Sequence, residues 1–496
     1  MRSGSLWKGI AIFVAGAFFG VLAAYQVVPA SKTGTLAETT GASTTGGSTT
    51  GLPATTTGGT GTTGGSTTGT ATGGTAGTTG TIPSNGFQCA RGKNGGATDK
   101  GVKADSISMA TTVVRSGIGA AFLGEVQYAM DAVKIKVNRA GGICGRLLNI
   151  RYVDDAWDAA DGQRDIRDFI NQGYFAIPIG PSSEGLNAAI TTGAIREAGI
   201  PVVGTDGMVI SQYQDPWVWP VAVSTASSAR IMAIEAKSLG AKSYSIVFDK
   251  DYKFGAEAAE AFNAQVRRQT GSNIAGYNSQ HTCQQSFCGV VANQTSYGGE
   301  VGRFQPGDIV VMFLEPKTAL TWMATTGAPT PKDIQAQTNG VGVWGAQPLF
   351  THDFEVNCQD ACDGMWVWSG FKPYVEKYKL DPAVQTFVSD LAKTSNADPY
   401  NAFSEGGYVG MELLVAAMQK VGPNLTRGNL KRVLDSMDYA SGLTLQSTLH
   451  WRPGNHFPTS TMQAFEMQYK GSASGWRLEA VVSDPNPVET ARDAKH

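Results

Sequence analysis

From residue 107 onward the sequence keeps changing its hydrophobic period, and that alternation decides what the chain can fold into. The stretch ISMATTV (107–113) is apolar and rich in β-branched residues, as a buried strand requires. LGEVQYAMDAVKIKVNRAGG follows, with Val126, Met130, Val133 and Val137 at spacings of four, three and four. That is one face of a helix, and Gly141-Gly142 supplies its stop. RLLNIRYVDD reads as a second strand, and DGQRDIRDFINQG as a helix closed by Gly173. YFAIPIG is a third strand, SSEGLNAAITTGAIREAG a third helix, and IPVVGTDG a fourth strand. After PWVWPVAVS the pattern restarts: ARIMAIEAKSLG and GAEAAEAFNAQVRRQTG read as helices, SYSIVFDK and GDIVVMFLE as strands. Strands alternating with helices of this length form parallel sheets through right-handed crossovers. The restart near Ser224 predicts a second sheet. Ligands of such sheets bind beyond the carboxyl ends of the strands, near a topological switch point. The polar turns RSGIG, DDAWD, GPSSEG and GTDG are therefore where chemistry is expected.

Ser182, in the third of these turns, has three possible roles. A nucleophile elbow would read G-x-S-x-G, and Gly180-Pro-Ser-Ser-Glu-Gly does not match it. The chain has five histidines, and none sits in a motif that pairs with a serine; His352-Asp353 reads as a surface pair. A phosphate cradle would need glycine spacing that Gly117, Gly119 and Gly124 do not provide. There remains a serine pair at a helix start. Ser183 or Ser182 caps free helix amides, or the same hydroxyls and amides meet a polar or anionic ligand group.

The rest of the chain sets the compartment. Residues 39–81 are Gly, Thr, Ser and Ala, broken only by Leu52 and Pro53, without a charge or an aromatic ring. Such a composition cannot offset its ordering entropy and reads as a disordered linker. Its 43 residues would span roughly 35 Å as a Gly-rich coil. Ahead of it, Arg2 and Lys8 precede an uncharged run of 22 residues, 9–30. This is either a signal peptide cut after Ala30 or an uncut anchor, and a long flexible tether suits the anchor better. No cysteine lies near the end of that run, which argues against a lipid anchor. All six cysteines lie beyond the linker, in what should be an oxidising space. Position groups them as Cys89 with Cys144, Cys283 with Cys288, and Cys358 with Cys362, although six cysteines allow about 15 pairings. The rival is a zinc site built from the last four, with His281; structural zinc prefers a tighter hook. With 39 basic and 41 acidic residues and no basic stripe, nothing points to nucleic acid.

Taken in order, VNRAGGICGRLLNIRYVDDAWD, FAIPIGPSSEG, GIPVVGTDG and VFDKDYKFG resemble the type I periplasmic binding proteins, nearest to the branched-chain amino-acid and amide branch serving ABC importers. The resemblance spans nearly all of 101–482. It implies an α/β fold of two doubly wound parallel-sheet lobes joined by a three-crossing hinge. Lobe one would comprise 87–222 and 372–442, lobe two 223–371 and 443–485, with 486–496 a tail. It implies that a ligand carboxylate meets Ser182, with Ser183 beside it, and that Thr205 and Asp206 contact the ligand after the fourth strand. Phe122 would cover the ligand, and Tyr252, Phe254, Glu315 and Gln347 would face it from lobe two. Three positions depart from the amino-acid pattern: Phe254 and Glu315 stand where tyrosines are expected, and Gln347 where an acid would hold the ligand's ammonium. A neutral glutamine cannot balance a buried ammonium. Either Asp206 or Glu315 takes that task, or the ligand is not an α-amino acid. Trp157, Trp217, Trp219 and Trp344 are core or cleft. The implied function is capture of a small polar metabolite by hinge closure, outside the cytoplasm, without catalysis, cofactor or metal. The same fold used as a surface sensor, and a serine hydrolase, are the alternatives.

Overall fold

The structure, a computed structural model, describes Cys89 and residues 93–495, apart from 181, 282, 284–286, 290–295, 339–340, 395–396 and 470–473. The apolar run 9–30 and the linker 39–81 lie outside the described residues.

The first sheet is parallel throughout. β1 (Ser106–Val113) pairs with β2 (Leu147–Asp154) along its full length. β3 (Ile177–Pro178), β4 (Val202–Val203) and β5 (Val218–Trp219) form a second parallel piece. Phe175 N donates to Ser108 O at 2.8 Å and Ala110 N to Ala176 O at 3.4 Å, which joins the two pieces in the order 2-1-3-4-5. This doubly wound order reverses direction between β1 and β3, so the crevice for a ligand opens where those two strands end.

The second sheet holds seven strands: β6 (Ser243–Asp249), β7 (Phe287–Gly289), β8 (Asp308–Phe313), β9 (Val343–Gly345), β10 (Trp366–Ser369), and later β13 (Thr461–Tyr469) and β14 (Ser474–Ser483). Between the last two groups comes a separate small pair, β11 (Asp438–Tyr439) with β12 (Leu449–His450). The order across the second sheet is 14-13-10-9-8-6-7. Its centre, β6-β8-β9-β10, is parallel, and β7, β13 and β14 add antiparallel edges. The helices Val126–Arg139 and Ala402–Val421 pack on the first sheet, and Thr225–Ser238 and Lys253–Thr270 on the second. The chain therefore passes between the lobes three times: between β5 and β6, after β10, and between β11 and β13.

Several local readings shift. The expected single helix after β3 is two, Ser183–Thr191 and Ala194–Ala198. Thr191 and Thr192 donate their hydroxyls back to the carbonyls of Asn187 and Ala188 at 2.8 and 3.1 Å, and Gly193 turns left-handed at φ 79°. The expected third strand shrinks to two residues because Ile179 and Gly180 take φ of 62° and 33° and bend the chain away. Residues expected as a tail instead form the helix Pro487–Asp493, capped by Asn486 with proline at its start. Arg230 and Arg268 hold it through Glu489 at 3.1 and 3.2 Å. Trp344 lies in the core of lobe two, stacked on Trp366 at 5.1 Å, and Trp219 is fully buried. The cysteines pair as Cys89–Cys144, Cys283–Cys288 and Cys358–Cys362, which removes the thiolates that a zinc site would need.

Candidate functional site

The ends of β1 to β4 meet the ends of β6 and β9 across the gap between the lobes. After β2 the chain turns sharply. Ala156 and Trp157 both adopt left-handed backbone, with φ of 53° and 65°, a costly conformation for side chains of this size. Asp154 holds the neighbouring turn by accepting from Arg115 N at 2.9 Å and Ser116 Oγ at 2.8 Å, and Asp155 accepts from Trp157 N at 3.1 Å. The strained turn aims Trp157 across the gap. Its ring stacks on Tyr252 of lobe two at 4.3 Å and 12°, meets the edge of Phe122 at 5.2 Å, and lies 5.9 Å from Phe254. Its indole Nε1 donates to Ser183 Oγ at 3.0 Å.

Ser182 occupies the cap position of the helix Ser183–Thr191, yet its hydroxyl caps no helix amide. Ser182 Oγ and Asp155 Oδ2 are both buried and make no hydrogen bond of good geometry, although the two side chains adjoin. Burial pushes the Asp155 carboxyl up to about 6, against hydrogen bonds that pull it down.

The turn after β4 is organised by Gln212. Its Oε1 accepts from Thr205 Oγ1 at 2.5 Å and Gly207 N at 3.0 Å, while its Nε2 donates to Asp206 Oδ1 at 2.7 Å. Asp206 Oδ1 also accepts from Met208 N at 3.1 Å, and its Oδ2 is buried without a hydrogen bond of good geometry, although the Ser183 hydroxyl adjoins the carboxyl. Burial raises the Asp206 carboxyl to about 7. The turn can lie this low because Gly204, at φ 85°, passes directly over Gly410 of the long helix Ala402–Val421. A β-carbon on Gly410 would stand 2.5 Å from Gly204 Cα.

Two small cavities lie between the lobes, and Asp206, Gln347 and Phe403 line both. Thr205, Ile179 and Phe371 join the first, Met208 and Pro348 the second. Of the residues singled out in the sequence, Thr205, Asp206 and Gln347 thus meet at the cavities. Phe122, Ser182, Ser183, Tyr252 and Phe254 gather in the adjoining aromatic cluster and line neither. Glu315 stands apart. It caps the helix Pro316–Met323, accepting from Lys317 N at 2.8 Å and from Thr318 N, and its own amide donates to Asp249 Oδ2 at 2.6 Å. Burial raises both of those carboxyls. Lobe two also reaches across the gap by backbone and carboxylate: Lys253 N donates to Glu184 Oε1 at 3.3 Å, and Glu257 Oε2 accepts from Ile210 N at 2.8 Å. Sequence reading left Trp157 undecided and missed Gln212, Phe371 and Phe403. The DDAWD turn was a signal for Trp157, whereas the others are brought in by chain pairings that no local pattern encodes. Among the described residues, no histidine is hydrogen-bonded to Ser182 or Ser183, and no histidine lines the cavities.

No curated protein sequence matches the chain. Solved structures do. A solute-binding protein of an ABC transporter from R. palustris, in complex with 4-hydroxybenzoate, aligns at TM-score 0.62 and 16% identity over 78% of this chain and 99% of that one. The branched-chain amino acid transporter substrate-binding protein of Streptococcus pneumoniae, in complex with isoleucine, aligns at TM-score 0.56 and 16% identity over 75% and 100%. A second solute-binding protein from R. palustris, in complex with benzoate, gives TM-score 0.57 and 20% identity over 77% and 98%. At these identities the likeness is one of fold. The family profile for periplasmic binding proteins matches residues 106–473, through both lobes, and the chain belongs to that family.

Proposed function

We propose that the chain captures a small metabolite, of the amino-acid, amide or related kind, between its lobes, and that it does so by hinge closure outside the cytoplasm for an ABC importer. The observation that carries the reading is the Trp157–Tyr252 stack, which joins the two lobes in the aromatic cluster adjoining cavities that Asp206 lines from lobe one and Gln347 from lobe two. Closure of this kind needs no covalent step. Thr205, Asp206 and Gln347 are assigned to the ligand, Trp157 and Tyr252 to the latch. Ser182, Ser183, Phe122 and Phe254 hold the latch's surroundings, and Glu315 holds the helix beside it. The isoleucine and the benzoates bound by the similar proteins support the size class. Residues 9–30 are assigned as the membrane tether. The experiment is to purify the full-length chain, denature it, and identify released solute by mass spectrometry, while small-angle scattering follows compaction as that solute is added back. Serine-dependent ester turnover, lost in Ser182→Ala, would replace binding with catalysis.

A further inference from the structure

We propose that the solute held between the lobes is an organic cation without a carboxylate, a small amine or amidine with an apolar body. The inference rests on the solute-binding reading above and narrows it to a charge class. Among the described residues that line the two cavities there is no Lys, Arg or His, and Asp206 is the single formal charge. Most of the remaining wall is hydrocarbon and ring, with Val126, Ile179, Phe371 and Phe403 in the first cavity. One oxygen of Asp206 is engaged by Gln212 and Met208; the other is buried and makes no hydrogen bond of good geometry, although the Ser183 hydroxyl adjoins the carboxyl. A carboxylate oxygen with free lone pairs in an apolar wall is costly unless a donor meets it, and an ammonium brings both the proton and the balancing charge. The Phe371 and Phe403 rings add a surface that attracts cations.

The carboxylate half of an amino acid finds no such complement. The place for it would be the start of the helix Ser183–Thr191. There Ser183 Oγ already accepts from the Trp157 indole, the Asp155 carboxyl adjoins Ser182, and Glu184 stands in the first turn. An anion brought to that point loses its water beside like charges and gains no cation. Lys253, the first residue of the helix Lys253–Thr270, is already committed to carboxylates, with Nζ 3.4 Å from Glu257 and its charge also acting on Glu184.

The test pairs each acid with the amine of the same carbon frame: leucine with isoamylamine, benzoate with benzylamine. By calorimetric titration into the full-length chain, the amine of a pair should bind about tenfold tighter or more. Asp206→Asn should weaken amine binding by about 30-fold or more and leave the acids no weaker, with the melting temperature recorded to confirm folding. If leucine or benzoate binds and its amine does not, the charge class is wrong and the solute-binding reading stands. Amine binding that is indifferent to Asp206→Asn in a folded variant also overturns the charge class. If neither pair binds, the solute retained on purification decides. A cation lacking a carboxylate supports the inference, and any other solute refutes it. Absence of binding in both pairs together with absence of a retained solute overturns both readings.

Discussion

Truncating Tyr252 to alanine should loosen the closed form while sparing the interior of both lobes. The tyrosine is half-buried, and its main partner is Trp157, parallel to it at 4.3 Å across the gap. A stacked aromatic pair contributes about 0.5–1.5 kcal/mol beyond its buried area. On the proposed closure that contact is made only when the lobes are shut, so its loss should weaken solute affinity by roughly 2- to 13-fold. Trp157→Ala should cost far more, about 3–5 kcal/mol of stability, because this ring is buried to 3% exposure and also bonds Ser183 and packs on Phe122. The two effects separate in a double-mutant cycle on the dissociation constant, whose coupling should fall at about 0.5–1.5 kcal/mol. Tyr252→Phe keeps the ring and should bind as the parent does. Small-angle scattering should show a larger radius of gyration for Tyr252→Ala at equal solute saturation. A coupling below about 0.3 kcal/mol, which is additivity within error, would refute the latch.

Gly410→Ala should destabilise the protein by about 1–3 kcal/mol, measured by urea unfolding, because its β-carbon would stand 2.5 Å from both Gly204 Cα and Ile179 Cδ1. An unchanged midpoint would mean that the helix slides freely on β4. The pH dependence of stability should carry the mark of Glu257, which burial lifts to about 7 against the pull of Lys253 and Ile210 N. A carboxyl raised in the fold contributes stability fully below its ordinary value of 4.5, and that contribution fades as pH rises through about 7. Glu257→Gln should therefore lose less stability than the parent between pH 5 and 8, by on the order of 2–3 kcal/mol, and parallel curves would contradict this. Removing Cys89–Cys144 should cost about 4 kcal/mol by chain entropy, against about 2 for Cys283–Cys288, because the bridges close sequence separations of 55 and 5 residues.

What was legible in the sequence is what a short window can encode. The alternation of strand and helix between 106 and 313 encodes the parallel lobes, and the strand-end rule points to the turn that holds Asp206, whereas Gln347 is reached only through the family resemblance. The remainder depends on neighbours far along the chain. Gln212 looks like any surface glutamine until the turn at Gly204–Gly207 folds back onto it. Phe371 and Phe403 reach the site only because the chain returns to lobe one after β10, and the edge hairpin of β13 and β14 obeys no crossover pattern. The left-handed backbone at Trp157 and Ile179 belongs to residue types whose local preference opposes it, so only the assembled fold selects it. Ser182 was placed correctly at the helix start, but its hydroxyl caps no amide because the Asp155 side chain adjoins it instead.

The Cys89–Cys144 bridge has a mechanical consequence. It staples the entry point of the folded chain to the turn just before β2, within the first sheet's lobe. Any pull arriving along the preceding residues is borne by that covalent staple. That path bypasses the three connections between the lobes. In a molecule tethered as proposed, lobe one would be the fixed jaw and lobe two the moving one, and drag would leave the proposed opening equilibrium unloaded.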